Sequence, residues 1–242
     1  MKDLHSHLLY GIDDGSKTLA ESVKLLKEME SAGVTDLMLT PHYVENSKYN
    51  CNNPKKIEIF EELKKKAQEE KISINLYLGN EVFFTAEFLK YLKENEIRTL
   101  NNSKYLLFEF PVANVSRNSL EILQELTKNG CVPILAHPER YEIFQKHPEA
   151  IHEFLKAGIH LQGNFTSLFG GYGKTAEKTL KFFLQKHWIS FLGSDTHHEV
   201  KYNSKKLEKK LLRITKDKDY VEDLLFNNFD RVIKDEDMEI VR

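Results

Sequence analysis

Cysteine is scarce in this chain, which has only Cys51 and Cys131 among 242 residues. Two cysteines do not suggest a disulfide framework, so a reducing cytoplasm is the expected setting. Neither has an arginine six residues on, since Cys51 leads to Ile57 and Cys131 to His137. That excludes the thiolate-arginine loop of cysteine-dependent phosphatases. An excess of charge of one sign is also missing: 35 Lys and Arg stand against 37 Asp and Glu. The lysines are interleaved with glutamates, as on solvated helix faces, and leave no footprint for nucleic acid or an anionic membrane. No apolar run is long and uncharged enough to span a bilayer. The opening Met1-Lys2-Asp3-Leu4-His5 lacks the apolar stretch of a signal peptide. There is no GxSxG elbow, P-loop, internal repeat or low-complexity linker.

What is present is an alternation of short apolar runs and amphipathic segments. Thr18 and Glu21 form the signature of a capping box before Leu19, Val23, Leu26 and Met29, which recur at helical period, with Gly33 as the stop. Strands are expected at 36–40, 74–78, 105–109, 131–136, 159–162 and 189–193. The helices expected between them cover 54–70, 86–91, 119–128, 150–156 and 176–186, and further charged, amphipathic helices follow the last strand. About seven βα units in this length imply an α/β fold with a parallel sheet closed by helices, a distorted TIM-like (β/α)7 barrel forming one domain over 1–242.

The strand ends carry the chemistry. His5 and His7, two apart, share one face of a strand, and Asp195 and His197 repeat that spacing near the other end. His42, Glu81, Glu109, His137 and Asn164 end the strands between, and Asp14, beside Asp13, lies on the first loop. In a βα barrel all these ends open on one face. Any single histidine or glutamate there is an ordinary polar exit from the core, as His147, His152, His160, His187 and His198 are taken to be. The two paired motifs, and Glu109 directly after Leu106-Leu107-Phe108, call for a neutralising cation. Imidazole and carboxylate without thiolate suit Mn2+, Fe2+ or Zn2+, and so many donors imply two or three ions bridged by a carboxylate such as Glu81 or Glu109. Arg140, three residues past His137, offers a bidentate fork for phosphate, unless it pairs with Glu139 or a helix carboxylate instead. In the loop 43–53, Tyr43 and Tyr49 are candidates for a rim beside a substrate ring, though an ordinary solvated loop fits slightly better.

Asp3-Leu4-His5-Ser6-His7, Asp13-Asp14-Gly15, Thr40-Pro41-His42, Gly79-Asn80-Glu81, Phe108-Glu109-Phe110, Ala136-His137-Pro138-Glu139-Arg140 and Ser194-Asp195-Thr196-His197 together resemble the PHP (polymerase and histidinol phosphatase) superfamily. Their order and spacing are similar to the bacterial metal-dependent protein-tyrosine phosphatases of capsule and exopolysaccharide loci, the CpsB/YwqE type. The resemblance covers nearly the whole chain. It implies a trinuclear site, usually active with Mn2+, that hydrolyses phosphotyrosine on the autophosphorylated tail of a partner tyrosine kinase. Carried over by position, it implies His5, His7, Glu109 and Asp195 around one ion and His42, His137 and Glu81 or Glu109 around another. Asp14 and His197 would complete the third, and Arg140 would hold the phosphate. Arg140, His42, Asp195 and His197 then form the candidate catalytic set, with hydroxide bridging the metals as the nucleophile. Family members commonly carry another arginine shortly after the Asp-x-His. None stands in 198–205 here, where Lys201 and Lys205 are the available cations. Two alternatives stay open: a small-molecule phosphatase of the histidinol phosphate kind, and a weakly active adaptor that binds a phosphotyrosyl kinase tail. A homo-oligomer is compatible with each.

Overall fold

The computed structural model describes residues 1–113, 115 and 118–240. Among these residues nine short strands alternate with helices: β1 (Lys2–Asp3), α1 (Leu19–Ser31), β2 (Asp36–Leu39), β3 (His42–Tyr43), α2 (Asn53–Glu69), β4 (Asn75–Leu78), β5 (Glu81–Phe83), α3 (Phe88–Lys93), β6 (Tyr105–Glu109) and α4 (Ser119–Lys128). They continue as β7 (Val132–Ala136), α5 (Glu142–Lys146), α6 (His152–Lys156), β8 (His160–Asn164), α7 (Gly173–Gln185), β9 (Phe191–Gly193), α8 (Ser204–Thr215), α9 (Lys218–Glu222) and α10 (Asn228–Ile233).

Every ladder is parallel, in the orders β1-β2-β4 and β3-β5-β6-β7-β8-β9. Two strand positions are each broken in the middle. β2 and β3 are interrupted at Thr40-Pro41, and β4 and β5 at Gly79-Asn80, with the halves paired on both sides of the break. Pro41 has no N–H to give a ladder. The Pro41 carbonyl accepts from the Glu81 N–H at 3.2 Å and from the Asn80 amide at 2.8 Å, so backbone and side chain together stitch the gap. The ring closes between its ends, where Leu4 N–H donates to Leu192 O (3.2 Å), Asp195 N–H to His5 O and His7 N–H to Thr196 O (both 2.9 Å). Seven strand positions therefore form the distorted barrel expected from the alternation.

Local details follow the sequence with small corrections. The Thr18 hydroxyl accepts from Glu21 N–H at 3.2 Å, but the Glu21 carboxylate returns to Lys17 N–H at 2.7 Å, one residue earlier than a reciprocal capping box. Gly33, at φ +92°, follows the cap residue Ala32. The helix expected over 150–156 is split into a 3-10 turn and α6. The helix expected from 176 starts at Gly173.

The barrel interior is graded along each strand. Its floor is apolar: Met38, Leu107, Ile134, Ala136 and Phe191 cluster with Leu4 and Tyr105, and Phe229 and Val232 of α10 close it from below. Alternation puts residues i, i+2 and i+4 on one face. Met38-Thr40-His42, Tyr77-Gly79-Glu81, Tyr105-Leu107-Glu109 and Phe191-Gly193-Asp195 therefore each climb from the floor to a metal-capable side chain at the same mouth.

Candidate metal centre

The mouth gathers the sequence-predicted residues around Glu81, which is fully buried. Its Oε2 lies 3.2 Å from His5 Nε2, 3.3 Å from His7 Nε2 and 3.0 Å from His42 Nδ1, and its Oε1 lies 2.9 Å from His137 Nε2. Asp195 Oδ1 approaches His5 and His7 at 3.5 and 3.3 Å. Glu109 faces His42 and His137, at 3.3 and 3.6 Å. Asp14 Oδ1 stands 3.5 Å from both His42 Nε2 and His197 Nε2. Among the described residues, three groups bring potential ligand atoms together: His7, Asp14, His42 and His197; His5, His7 and Glu81; His42, Glu81 and Glu109. The partner of the His5-x-His7 pair is thus Glu81, while Glu109 sits on the side of His42 and His137. His147, His152, His160, His187 and His198 join none of these groups. His160, for one, packs in the floor against Tyr105 and Phe191.

Hydrogen-bond polarity tests whether the cluster fits cations. Asp195 is an acceptor, so the Asn164 amide donates to its Oδ2 at 2.8 Å. The Asn164 oxygen then takes the Gln162 amide at 2.9 Å, and the Gln162 oxygen takes His5 Nδ1–H at 2.8 Å. His7 Nδ1–H donates to Asp13 Oδ2 at 2.9 Å. In their neutral form both histidines therefore present Nε2 lone pairs inward, and these atoms lie 3.0 Å apart. Two lone pairs at that distance repel unless a proton or a cation sits among them. Glu81 Oε2, His42 Nδ1, His137 Nδ1 and Asp14 Oδ1 are also buried without a hydrogen-bond partner. Buried polar atoms are rarely left so, and an ion is one explanation. The donor set fits divalent cations on both counts.

Electrostatics agree. Burial alone would raise the Glu81 pKa, but the imidazoles of His5 and His42 and the bond to His137 hold it well below the usual carboxylate range. Burial and the neighbouring Glu81 push Glu109 up to about 8, and burial together with Arg140 pushes His137 down to about 4. A carboxyl raised by a like charge is what a cation relieves. The backbone is strained here as well: His137 and Asp195 have φ of +37° and +55°. Gly193 lets the strands close on the site, since a Cβ there would lie 2.4 Å from the His5 Cβ.

Arg140 stands at the rim. Its guanidinium donates to Asp195 Oδ2 at 2.8 Å and lies 4.4 Å from the centre of the Tyr172 ring, while the Tyr172 hydroxyl donates to the same Oδ2 at 2.7 Å. Glu139 is not its partner; it is buried and accepts from Asn164 N–H and the Ser167 hydroxyl. Tyr43 is buried with its hydroxyl on Glu96, so it forms no rim; Tyr49 packs near the His42 ring at 6.1 Å. Sequence reasoning missed Gln162 and Tyr172, and it named Asp13 only as a neighbour of Asp14. Asp13 carried a signal, because a carboxylate close after HxH suits the outer nitrogen of a ligating histidine. Gln162 and Tyr172 carried none.

Comparison with known proteins agrees with this geometry. The family model described as capsular polysaccharide synthesis, CpsB/CapC, matches residues 1–234. CapC of Staphylococcus aureus is 33% identical over 93% of this chain and 87% of its own. The tyrosine-protein phosphatase CpsB of Streptococcus agalactiae is 31% identical over 82% and 83% respectively. A crystal structure reported for YwqE of Bacillus subtilis and CpsB of Streptococcus pneumoniae, described as unique metal-dependent tyrosine phosphatases, superposes with a TM-score of 0.90 at 25% identity and covers 100% of both chains.

Proposed function

The chain belongs to the capsular polysaccharide synthesis family CpsB/CapC, and on that footing we propose that it is a metal-dependent protein-tyrosine phosphatase. The observation that carries this reading is the inward pair of imidazole nitrogens, His5 and His7, 3.0 Å apart and facing Glu81 and Asp195. Donors of this kind, without thiolate, favour Mn2+, with Fe2+ and Zn2+ as competitors. When bound, such ions supply Lewis acidity to a phosphoryl oxygen and lower the pKa of water to make hydroxide available near neutral pH.

The protein's own residues do the rest. His5, His7, Glu81 and Asp195 would hold the inner part of the cluster, with His137 and Glu109 on one flank and Asp14, His42 and His197 on the other. Gln162 and Asp13 fix which nitrogen of His5 and His7 faces inward. Arg140, braced by Asp195 and Tyr172, turns its remaining N–H groups to the phosphate, where a planar fork binds two oxygens. His42 and His197, less buried than His5 and His7, border the open side of the cluster, where the departing phenolate takes its proton from water. The substrate we assign is phosphotyrosyl protein, in particular the autophosphorylated tail of a bacterial tyrosine kinase serving polysaccharide biosynthesis. Cytoplasmic action fits the two free thiols.

The test is phosphate release from a phosphotyrosyl peptide and from histidinol phosphate, each with chelator and after Mn2+ is restored. We expect release from the peptide, abolished by chelation and recovered with Mn2+. Release indifferent to chelation, or a preference for histidinol phosphate, would contradict the proposal.

A further inference from the structure

Next to Asp195 and His197 the surface sinks into a cleft of about 310 Å3, at the small end of ligand-pocket sizes of roughly 300–1,000 Å3. Phe169 and Tyr172, on the segment after β8, line it together with His198 and Lys201, which follow β9. Large hydrophobic side chains are seldom left in water without a use when they gather at a site. Phe169 is 40% and Tyr172 37% exposed, and both border this one cleft. Neither ring is loosely held. Tyr172 is fixed by its bond to Asp195 and by the Arg140 guanidinium against its ring. Phe169 has Lys210 Nζ 4.9 Å from its centre, and Lys210 is itself tied to the Leu168 carbonyl. The cleft is therefore a recess with two aromatic side chains in its lining, bordering Asp195 and His197 of the candidate metal centre.

We propose that this cleft is the subsite for the phenyl ring of the substrate phosphotyrosine, with Phe169 as its aromatic wall. The inference rests on the phosphatase reading and adds where the leaving group lies. Asp195 and His197 line both the metal centre and this cleft, and Tyr172 joins the cleft to Arg140, so a ring leaving the centre on this side meets Phe169. The competing wall is Tyr49, which stands near His42 away from this cleft.

Steady-state kinetics on the Mn2+-loaded enzyme decide between them, with phosphotyrosyl peptide, phenyl phosphate and a small alkyl phosphate as substrates and inorganic phosphate as inhibitor. Phe169→Ala should raise KM for both aryl substrates about tenfold, the worth of one aromatic contact. The inhibition constant of phosphate should stay put, and so should KM for the alkyl ester. Phe169→Tyr should restore the aryl KM, which separates loss of the ring from any loss of folding. An unchanged aryl KM in Phe169→Ala, an equal rise for the alkyl ester, or a rise confined to Tyr49→Ala would overturn the assignment. Should the wild-type enzyme hydrolyse none of the three, the phosphatase reading itself fails, which is a different outcome from a wild-type enzyme that is active but indifferent to Phe169.

Discussion

The floor and the mouth of the barrel are built from the same strands and obey opposite rules. At the floor, Met38, Leu107, Ile134 and Phe191 are buried and apolar, and they contribute stability by leaving water. A few residues further along, His42, Glu109, His137 and Asp195 lie at the mouth, largely buried too, but as polar groups with opposed lone pairs, orphaned atoms and left-handed backbone. Burial therefore means different things at the two ends. The floor holds the ring together; the mouth is tolerated because the ring is already held, and its ligand atoms are those that cations would satisfy.

That contrast can be broken most severely at the mouth. Glu81→Ala removes the carboxylate shared by four imidazoles, and we expect phosphate release to fall to background and bound metal to drop while the fold persists by circular dichroism. The floor should respond in reverse. Leu107→Ala should cost about 2–5 kcal/mol in chemical denaturation, as large-to-small core changes do, with metal content per folded molecule unchanged. Gln162→Leu, which frees the outer nitrogen of His5, should weaken metal binding by about 10–100-fold in calorimetric titration while the melting temperature of the metal-free protein shifts little.

The smallest effect lies between the regions. Lys56 is buried beside the mouth, its Nζ donating to Asn80 Oδ1 at 2.6 Å and to Glu96 O at 3.1 Å. Burial pushes its pKa from 10.5 down to about 7. The unfolded chain then binds more protons than the folded one between those values, so this group makes stability rise as pH rises from about 7 towards 10.5. Denaturation midpoints at pH 7 and pH 9 should show that slope in the wild type and a flatter one in Lys56→Met.

Much of this division was legible in the sequence. The βα alternation gave the ring, α4 has the limits read for it, and every residue nominated for the metal cluster lies at the mouth. Legibility ended where one side chain chooses another across strands. Nothing in Gln162 announces that it fixes the tautomer of His5, because that depends on β8 and β9 placing Asn164 against Asp195. The grouping of Glu81 with His5 and His7 was equally hidden. It depends on the register that sets Glu81 beside His42 on one neighbouring strand and Leu107 on the other. Lys56 reads as one more solvated lysine of a charged helix, and only the packing of α2 on the 95–98 segment buries it.

The most direct test is a titration of the chelator-stripped chain with Mn2+, read by calorimetry and by electron paramagnetic resonance. Two or three ions per chain, magnetically coupled and lost together in Glu81→Ala, is the predicted result. No stoichiometric binding, or isolated ions whose binding ignores Glu81, would contradict the account.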